Sequence, residues 1–248
     1  MNETRDKWAS RLSDMETWYR DLLNQGEASA ERALTSDYAP YSGFLGALRG
    51  RVLDVGGGAG LTARYLDPDC DYWVIDPAAV WEEAGWQAFG DGFRTRRPVN
   101  FVRGVGEKLP FDDHAFDAAL AFWSLNHAAD PERCVAEMAR VVKPGGCVLI
   151  VLEDMEPSWL DIAGYALQRV EMRCGRRVEA PMHWGQQDVT NLRETLARKM
   201  PGAQWPLQSD HLRIAEPALI SWLKPRLRIC TRSWRSGFLT FELINSPL

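Results

Sequence analysis

One loop constrains this chain more than any other feature. The apolar run Val52 to Val55 ends in Gly56-Gly57-Gly58-Ala59-Gly60. Glycines there let the backbone turn sharply and let a ligand approach closely. Such a loop joins the first strand of a doubly wound α/β sheet to the helix that follows. Two details set it apart from the dinucleotide fingerprint. That fingerprint places its third Gly or Ala at position 61, which here is Leu61. It also favours an apolar residue where this chain has Asp54. A carboxylate there repels a pyrophosphate but suits an ammonium group, reached directly or through water.

The rest of the chain reads as such a sheet. Apolar runs follow at Tyr72 to Ile75, more weakly at Asn100 to Arg103, then at Ala118 to Phe122 and Cys147 to Leu152. A helix lies between the last two. Asp130 suits its N-cap and Pro131 its first position, and Lys143-Pro144-Gly145-Gly146 stops it. Apolar strands alternating with helices argue for a parallel sheet covered on both faces. Residues 1–48 read as amphipathic helices, with Trp8, Leu12, Met15, Trp18, Leu22 and Leu23 at helical steps and breaks at Gly26 and at Tyr38 to Gly43. This segment precedes the first strand, so it can pack over the mouth of the site. Residues 158–173 and Gln186 to Met200 read as helices, and Ser236 to Ile244 as a final strand.

Asp76 is the second informative residue. It ends the second strand, 76 − 54 = 22 residues after Asp54. A carboxylate at that strand tip accepts both ribose hydroxyls of a nucleoside. Alone it has a helix cap as its lesser reading; beside the glycine loop it is far more specific.

Composition narrows the classes. A net charge of −5 gives no reason to expect a nucleic-acid partner. The basic clusters Arg94, Arg96, Arg97 and Lys224 to Arg235 read as solvated surface. The five cysteines form no C-x-x-C pair, so a reducing, cytoplasmic setting is expected. Cys134 and Cys147 read as core. The N-terminus has no apolar signal core and no run is long enough to span a membrane. Of the eleven tryptophans, some suit a pocket lining and most suit a core.

Together these motifs resemble the class I S-adenosylmethionine-dependent methyltransferases, and within them the small-molecule group typified by ubiquinone/menaquinone biosynthesis. VLDVGGGAG resembles the first family motif and YWVIDPA the second. RGVGEKLPFDDHAFDAALAFWSLNHAADPERCVAEMARVVKPGGCVLIV resembles the remainder through the fifth strand. The likeness covers roughly residues 45–155.

The resemblance implies a Rossmann-like, doubly wound α/β sheet of seven strands, mostly parallel with an antiparallel last strand, plus N-terminal helices. One domain spans 1–248: a helical cap (1–48), a cofactor-binding core (49–155) and acceptor-side helices with the last strands (156–248). It also implies roles. Gly56, Gly58 and Gly60 pack against S-adenosylmethionine, Asp54 helps hold its ammonium group, Asp76 binds the ribose and Pro77 lies beside the adenine. Gly106, Glu107 and Lys108 edge the adenine pocket with Leu109 behind it, and Phe122 begins the loop that faces the cofactor amine. The family often has Asp where this chain has Val105. Adenine recognition then falls to backbone groups of Gly106 and Glu107.

Methyl transfer needs alignment of a nucleophile, exclusion of water and sometimes removal of a proton. It needs no metal, and the spacing of the four histidines suggests none. His127 follows the fourth strand at the carboxyl end of the sheet, so it is a candidate base and equally a loop-holding residue. His183, in Ala180-Pro181-Met182-His183-Trp184, is the second candidate. His114 reads as exposed, His211 as structural and Asp154 as a helix N-cap. The expected function is methyl transfer to an oxygen, nitrogen or carbon of a small metabolite. Two rivals are a repurposed fold that binds the cofactor but does not methylate, and a non-catalytic binding protein. The acceptor and the oligomeric state are not legible.

Overall fold

The computed structural model describes residues 2–94, 98–176, 192–200, 202 and 211–246. The chain opens with α1 (Asn2–Asn24), α2 (Glu27–Tyr38), a 3-10 turn at Ala39–Tyr41 and α3 (Ser42–Ala47). The breaks fall at Gly26 and around Pro40, where the sequence places them. Then come β1 (Arg51–Val55), β2 (Asp71–Asp76), α4 (Ala84–Phe93), β3 (Asn100–Arg103), β4 (Phe116–Phe122), α5 (Pro131–Val141), β5 (Val142–Leu152), α6 (Trp159–Arg173), α7 (Leu192–Arg198), α8 (Glu216–Leu223), β6 (Leu227–Arg235) and β7 (Phe238–Asn245).

The strands form one sheet in the order β3-β2-β1-β4-β5-β7-β6. β1 to β5 pair in parallel, and β7 runs antiparallel to both β5 and β6. Each face carries its own buried cluster. Leu53 and Val55 of β1 join Val135 and Met138 of α5 and Leu219 and Leu223 of α8 on one face. Val52 joins Leu34, Tyr38, Trp86 and Phe89 of α2 and α4 on the other. The strand order turns at β1 and β4, and ligands of open α/β sheets bind at the carboxyl ends of the strands where it does.

Three details differ from expectation. The glycine loop opens only a 3-10 turn, Leu61–Tyr65, because Pro68 removes a backbone donor and β2 begins at Asp71. Helix α5 ends at Val141, just ahead of residues 143–146, but these residues already belong to β5, which was expected only from Cys147. The change comes at Val142, where Asn245 Nδ2 donates to the carbonyls of Ala139 and Val142. The basic stretch up to Arg235 is the edge strand β6, and its Arg232 is half-buried between Asp161 and Glu216. Arg94 likewise is buried, donating to the Ala59 carbonyl and to Asp91. The remaining expected elements stand: Asp130 caps α5 and Ser158 forms a capping box on α6. Of the expected helix from 186 to 200, the part before 192 lies outside the described residues.

Candidate functional site

A cavity of about 610 Å³ opens at the carboxyl ends of β1, β2 and β4. This lies within the usual range for small-molecule sites, about 300–1,000 Å³. One end is the glycine loop. Gly56 has φ +71° and Gly58 φ +54°, values that favour glycine. A Cβ on Gly56 would clash with Ser124, whose Oγ donates to the Val55 carbonyl at 2.6 Å. A Cβ on Gly58 would sit 2.9 Å from the Trp81 ring. The loop therefore admits only glycine at both places.

Asp76 lies at the lip of this end, 4% exposed. Its Oδ2 accepts from the Gly58 amide at 3.0 Å and its Oδ1 from the Ala78 amide at 2.9 Å. Burial raises its carboxyl pKa, and these amides oppose the rise. One side chain thus fixes the glycine loop to the tip of β2 while facing the cavity. Pro77, Val105, Gly106, Glu107 and Phe122 line the same space. Glu107 Oε1 accepts from the Ala129 and Asp130 amides, at 2.8 and 3.1 Å, so its carboxylate braces the start of α5.

Other expected cofactor residues stand behind the wall. Asp54 is buried beneath the loop, its Oδ2 accepting from Thr62 at 2.6 Å and Tyr72 at 2.7 Å. Burial pushes its carboxyl up to about 6. Gly60 packs against Val99 and Tyr72, Lys108 is exposed, and Leu109 is buried with its amide on Glu137. His183 lies outside the described residues.

The other end holds groups that the sequence did not bring together. His127, Glu153 and His211 all line it. His127 Nε2 lies 3.7 Å and His211 Nε2 3.3 Å from Glu153 Oε1. His211 Nδ1 lies 2.7 Å from Asp154 Oδ2. So His211 is part of the site's wall, and Asp154 holds it instead of capping α6. Eighty-four residues (211 − 127) separate the two imidazoles, too far for any local spacing rule. Trp123 and Asp154, just past β4 and β5, have φ of +55° and +53°. Such non-glycine strain costs on the order of 1–3 kcal/mol and gathers at functional sites.

The N-terminal helices close the cavity. Leu12, Asp14, Met15, Trp18 and Tyr19 of α1 and Leu34, Asp37 and Tyr38 of α2 line it. Burial, then the charge of Glu153, pushes the Asp37 carboxyl up to about 6. Among the described residues the lining has five carboxylates, Asp14, Asp37, Asp76, Glu107 and Glu153, and no Lys or Arg.

The strand order, the antiparallel seventh strand, the glycine loop and Asp76 together define the class I methyltransferase fold. More narrowly, residues 53–150 match the model of the methyltransferase domain family. The chain is 32% identical over 165 residues to a demethylmenaquinone methyltransferase of Renibacterium salmoninarum, across 64% of this chain and 63% of that protein. It is 35% identical over 118 residues to a ubiquinone/menaquinone biosynthesis C-methyltransferase of Methylobacterium nodulans, across 46% of this chain and 44% of that protein. The chain thus matches less than two thirds of the length of these relatives. Among solved structures, a SAM-dependent methyltransferase of Thermotoga maritima shares the fold with a TM-score of 0.53 at 16% identity. It covers 96% of this chain and 99% of that one. No helix among the described residues is long and apolar enough to cross a membrane.

Proposed function

We propose that this chain transfers a methyl group from S-adenosylmethionine to a small-molecule acceptor. The observation that carries the reading is the glycine cradle and Asp76 facing the same cavity as His127 and Glu153. The residues fit the cofactor. The cradle excludes a Cβ where a ligand must come close, and Asp76 keeps lone pairs for ribose hydroxyls beyond its two amide bonds. The cofactor supplies an electrophilic methyl on a cationic sulfur, and the carboxylate-rich lining suits that charge.

The chain's own residues do the rest. Gly56 and Gly58 shape the cradle, Asp76 orients the sugar, and Pro77, Val105 and the Gly106–Glu107 backbone flank the base. Asp54 acts from below by holding Thr62 and Tyr72 under the loop. Trp18, Tyr19, Tyr38, Trp123 and Phe238 line the cavity and exclude water from it. His127 handles the proton of the acceptor. With no cation in the described lining, an uncharged or cationic acceptor fits better than a carboxylated one. The reading of a non-methylating enzyme rested on Val105 alone, and relatives named as methyltransferases weigh against it. Five free cysteines support a reducing, cytoplasmic setting.

The test is calorimetry with S-adenosylhomocysteine, followed by an acceptor screen with methyl-labelled S-adenosylmethionine. In Asp76→Ala the affinity should fall by about tenfold or more, from charge-assisted hydrogen bonds worth roughly 1.5–3 kcal/mol each. A parent chain that binds no S-adenosylhomocysteine ends the proposal. A folded Asp76→Ala that binds as tightly as the parent removes Asp76 from the site.

A further inference from the structure

We infer that His127, Glu153 and His211 form a site for a divalent transition-metal ion, zinc or iron(II) in character, at the acceptor end of the cavity. The inference rests on the methyltransferase reading only for what the ion would act upon.

The three ligand atoms all lie within 4.8 Å of one another. Metal–nitrogen and metal–oxygen bonds of about 2.0–2.2 Å put neighbouring ligand atoms roughly 3.0–3.5 Å apart in octahedral or tetrahedral geometry. The 3.3 Å from His211 Nε2 to Glu153 already fits, and the 3.7 Å from His127 Nε2 needs a shift of a few tenths of an ångström. Two imidazoles and one carboxylate are a ligand set suited to zinc or non-haem iron(II), with open positions toward the cavity for solvent or substrate.

Two further observations point the same way. First, Asp154 sits 2.7 Å from His211 Nδ1. A carboxylate on one ring nitrogen, with the other nitrogen turned to a candidate ligand site, is the carboxylate–histidine arrangement typical of metal ligands. Second, the scaffold is built. Asn126, 1% exposed, receives the Leu212 amide on its carbonyl at 2.6 Å. Its side-chain amide donates to the carbonyls of Leu212 and Glu153, at 3.3 and 3.2 Å. One buried residue thus clamps the three segments that present the three ligands. Asp37 and Glu153 add negative charge, and the described lining offers no Lys or Arg to neutralise it.

An ion here changes the part His127 plays. It donates a lone pair to the ion instead of taking the acceptor's proton. A hydroxyl placed against the ion is acidified and loses its proton to solvent. The acceptor class is therefore one with a coordinating hydroxyl, such as a catechol, an ene-diol or a hydroxyquinone.

The test uses the full chain without a histidine tag, stripped with EDTA, titrated with zinc by calorimetry and with cobalt(II) by absorption. One equivalent should bind, with cobalt bands lacking thiolate charge transfer. His127→Gln and Glu153→Gln should each lose about tenfold or more in zinc affinity, and Asp154→Asn about 10–100-fold. Where His127→Gln proves unstable, Glu153→Gln keeps the test alive, since only an oxygen changes. No stoichiometric binding, binding that survives both ligand variants, or thiolate bands would each overturn the inference. So would an NMR spectrum in which His211 stays doubly protonated with zinc in excess. Binding of S-adenosylhomocysteine is read separately in Glu153→Gln. If it persists while zinc does not bind the parent, the metal site fails and the methyltransferase reading stands.

Discussion

Asp54 carries two lessons at the scale of the residue. The sequence puts a carboxylate under a glycine loop, and in the structure its Oδ2 is taken up by Thr62 and Tyr72. Its position was legible and its hydrogen-bond partners were not, because Thr62 and Tyr72 reach it from the turn after the loop and from β2. The burial has a measurable consequence. The carboxyl is pushed from an ordinary 3.8 up to about 6, so the folded chain holds this proton more tightly than the unfolded chain. The folded state is therefore least penalised by this group below about pH 4. The penalty grows as pH rises and is complete above about pH 6, on the order of 3 kcal/mol. Asp54→Asn keeps an oxygen for the Thr62 and Tyr72 hydroxyls but cannot ionise. Its stability relative to the parent, by urea melts, should rise from about pH 4 to about pH 8 by a large part of that amount. Other groups titrate alike in both proteins, so a difference flat with pH would show that Asp54 ionises normally in the fold.

At the scale of the element, the N-terminal helices matter most. Their amphipathic spacing was legible, and so was a place over the site mouth. What they bond to was not, since the partners lie more than sixty residues ahead. Glu16 of α1 accepts from the Ala79 amide at 2.8 Å, just beyond the tip of β2. Arg20 reaches Glu83 at 2.9 Å. The second pair is exposed at both ends and contributes little. The first joins a carboxylate to a partly buried amide, a bond worth roughly 1.5–3 kcal/mol. It is thus the stronger of these two polar contacts holding α1 over the cavity. Glu16→Ala should speed amide exchange in α1 by about tenfold or more, leaving β1 and β4 unchanged. Dissociation of S-adenosylhomocysteine should quicken with it. Exchange in α1 equal to the parent's would mean that packing of Tyr19 on Trp81 and Trp86, not Glu16, holds the helix.

At the scale of the whole molecule, the cofactor half of the site was legible and the acceptor half was not, for one physical reason. The cofactor half is built from strand tips and the turns that leave them, where residue type, glycine and spacing speak locally. The acceptor half is assembled from α1, α2, the tips of β4 and β5 and the segment before α8, which only the closed fold brings together. Hence His127 stood out while His211 did not, and two histidines without a local spacing rule proved to be neighbours. The sheet was read nearly strand for strand, except β6, whose alternating arginines looked like surface before the partners of Arg232 were known. This distributed construction makes a last prediction. A ligand filling the cavity touches the glycine loop, the tips of β2 and β4, and helices α1 and α2 at once, so binding should stabilise the cooperative unit and not one loop. At a concentration about 100 times its dissociation constant, a ligand that binds only the folded state adds about 2.7 kcal/mol. For a chain of this size each kcal/mol moves the melting temperature by about 2–4 °C, so S-adenosylhomocysteine should raise it by about 5–11 °C. Exchange protection should extend from the loop into α1 and the β4 tip. A calorimetrically bound ligand that leaves the melting temperature unmoved would mean that the cavity walls unfold independently of the sheet, against the single core continuous from β1 through α2 and α4.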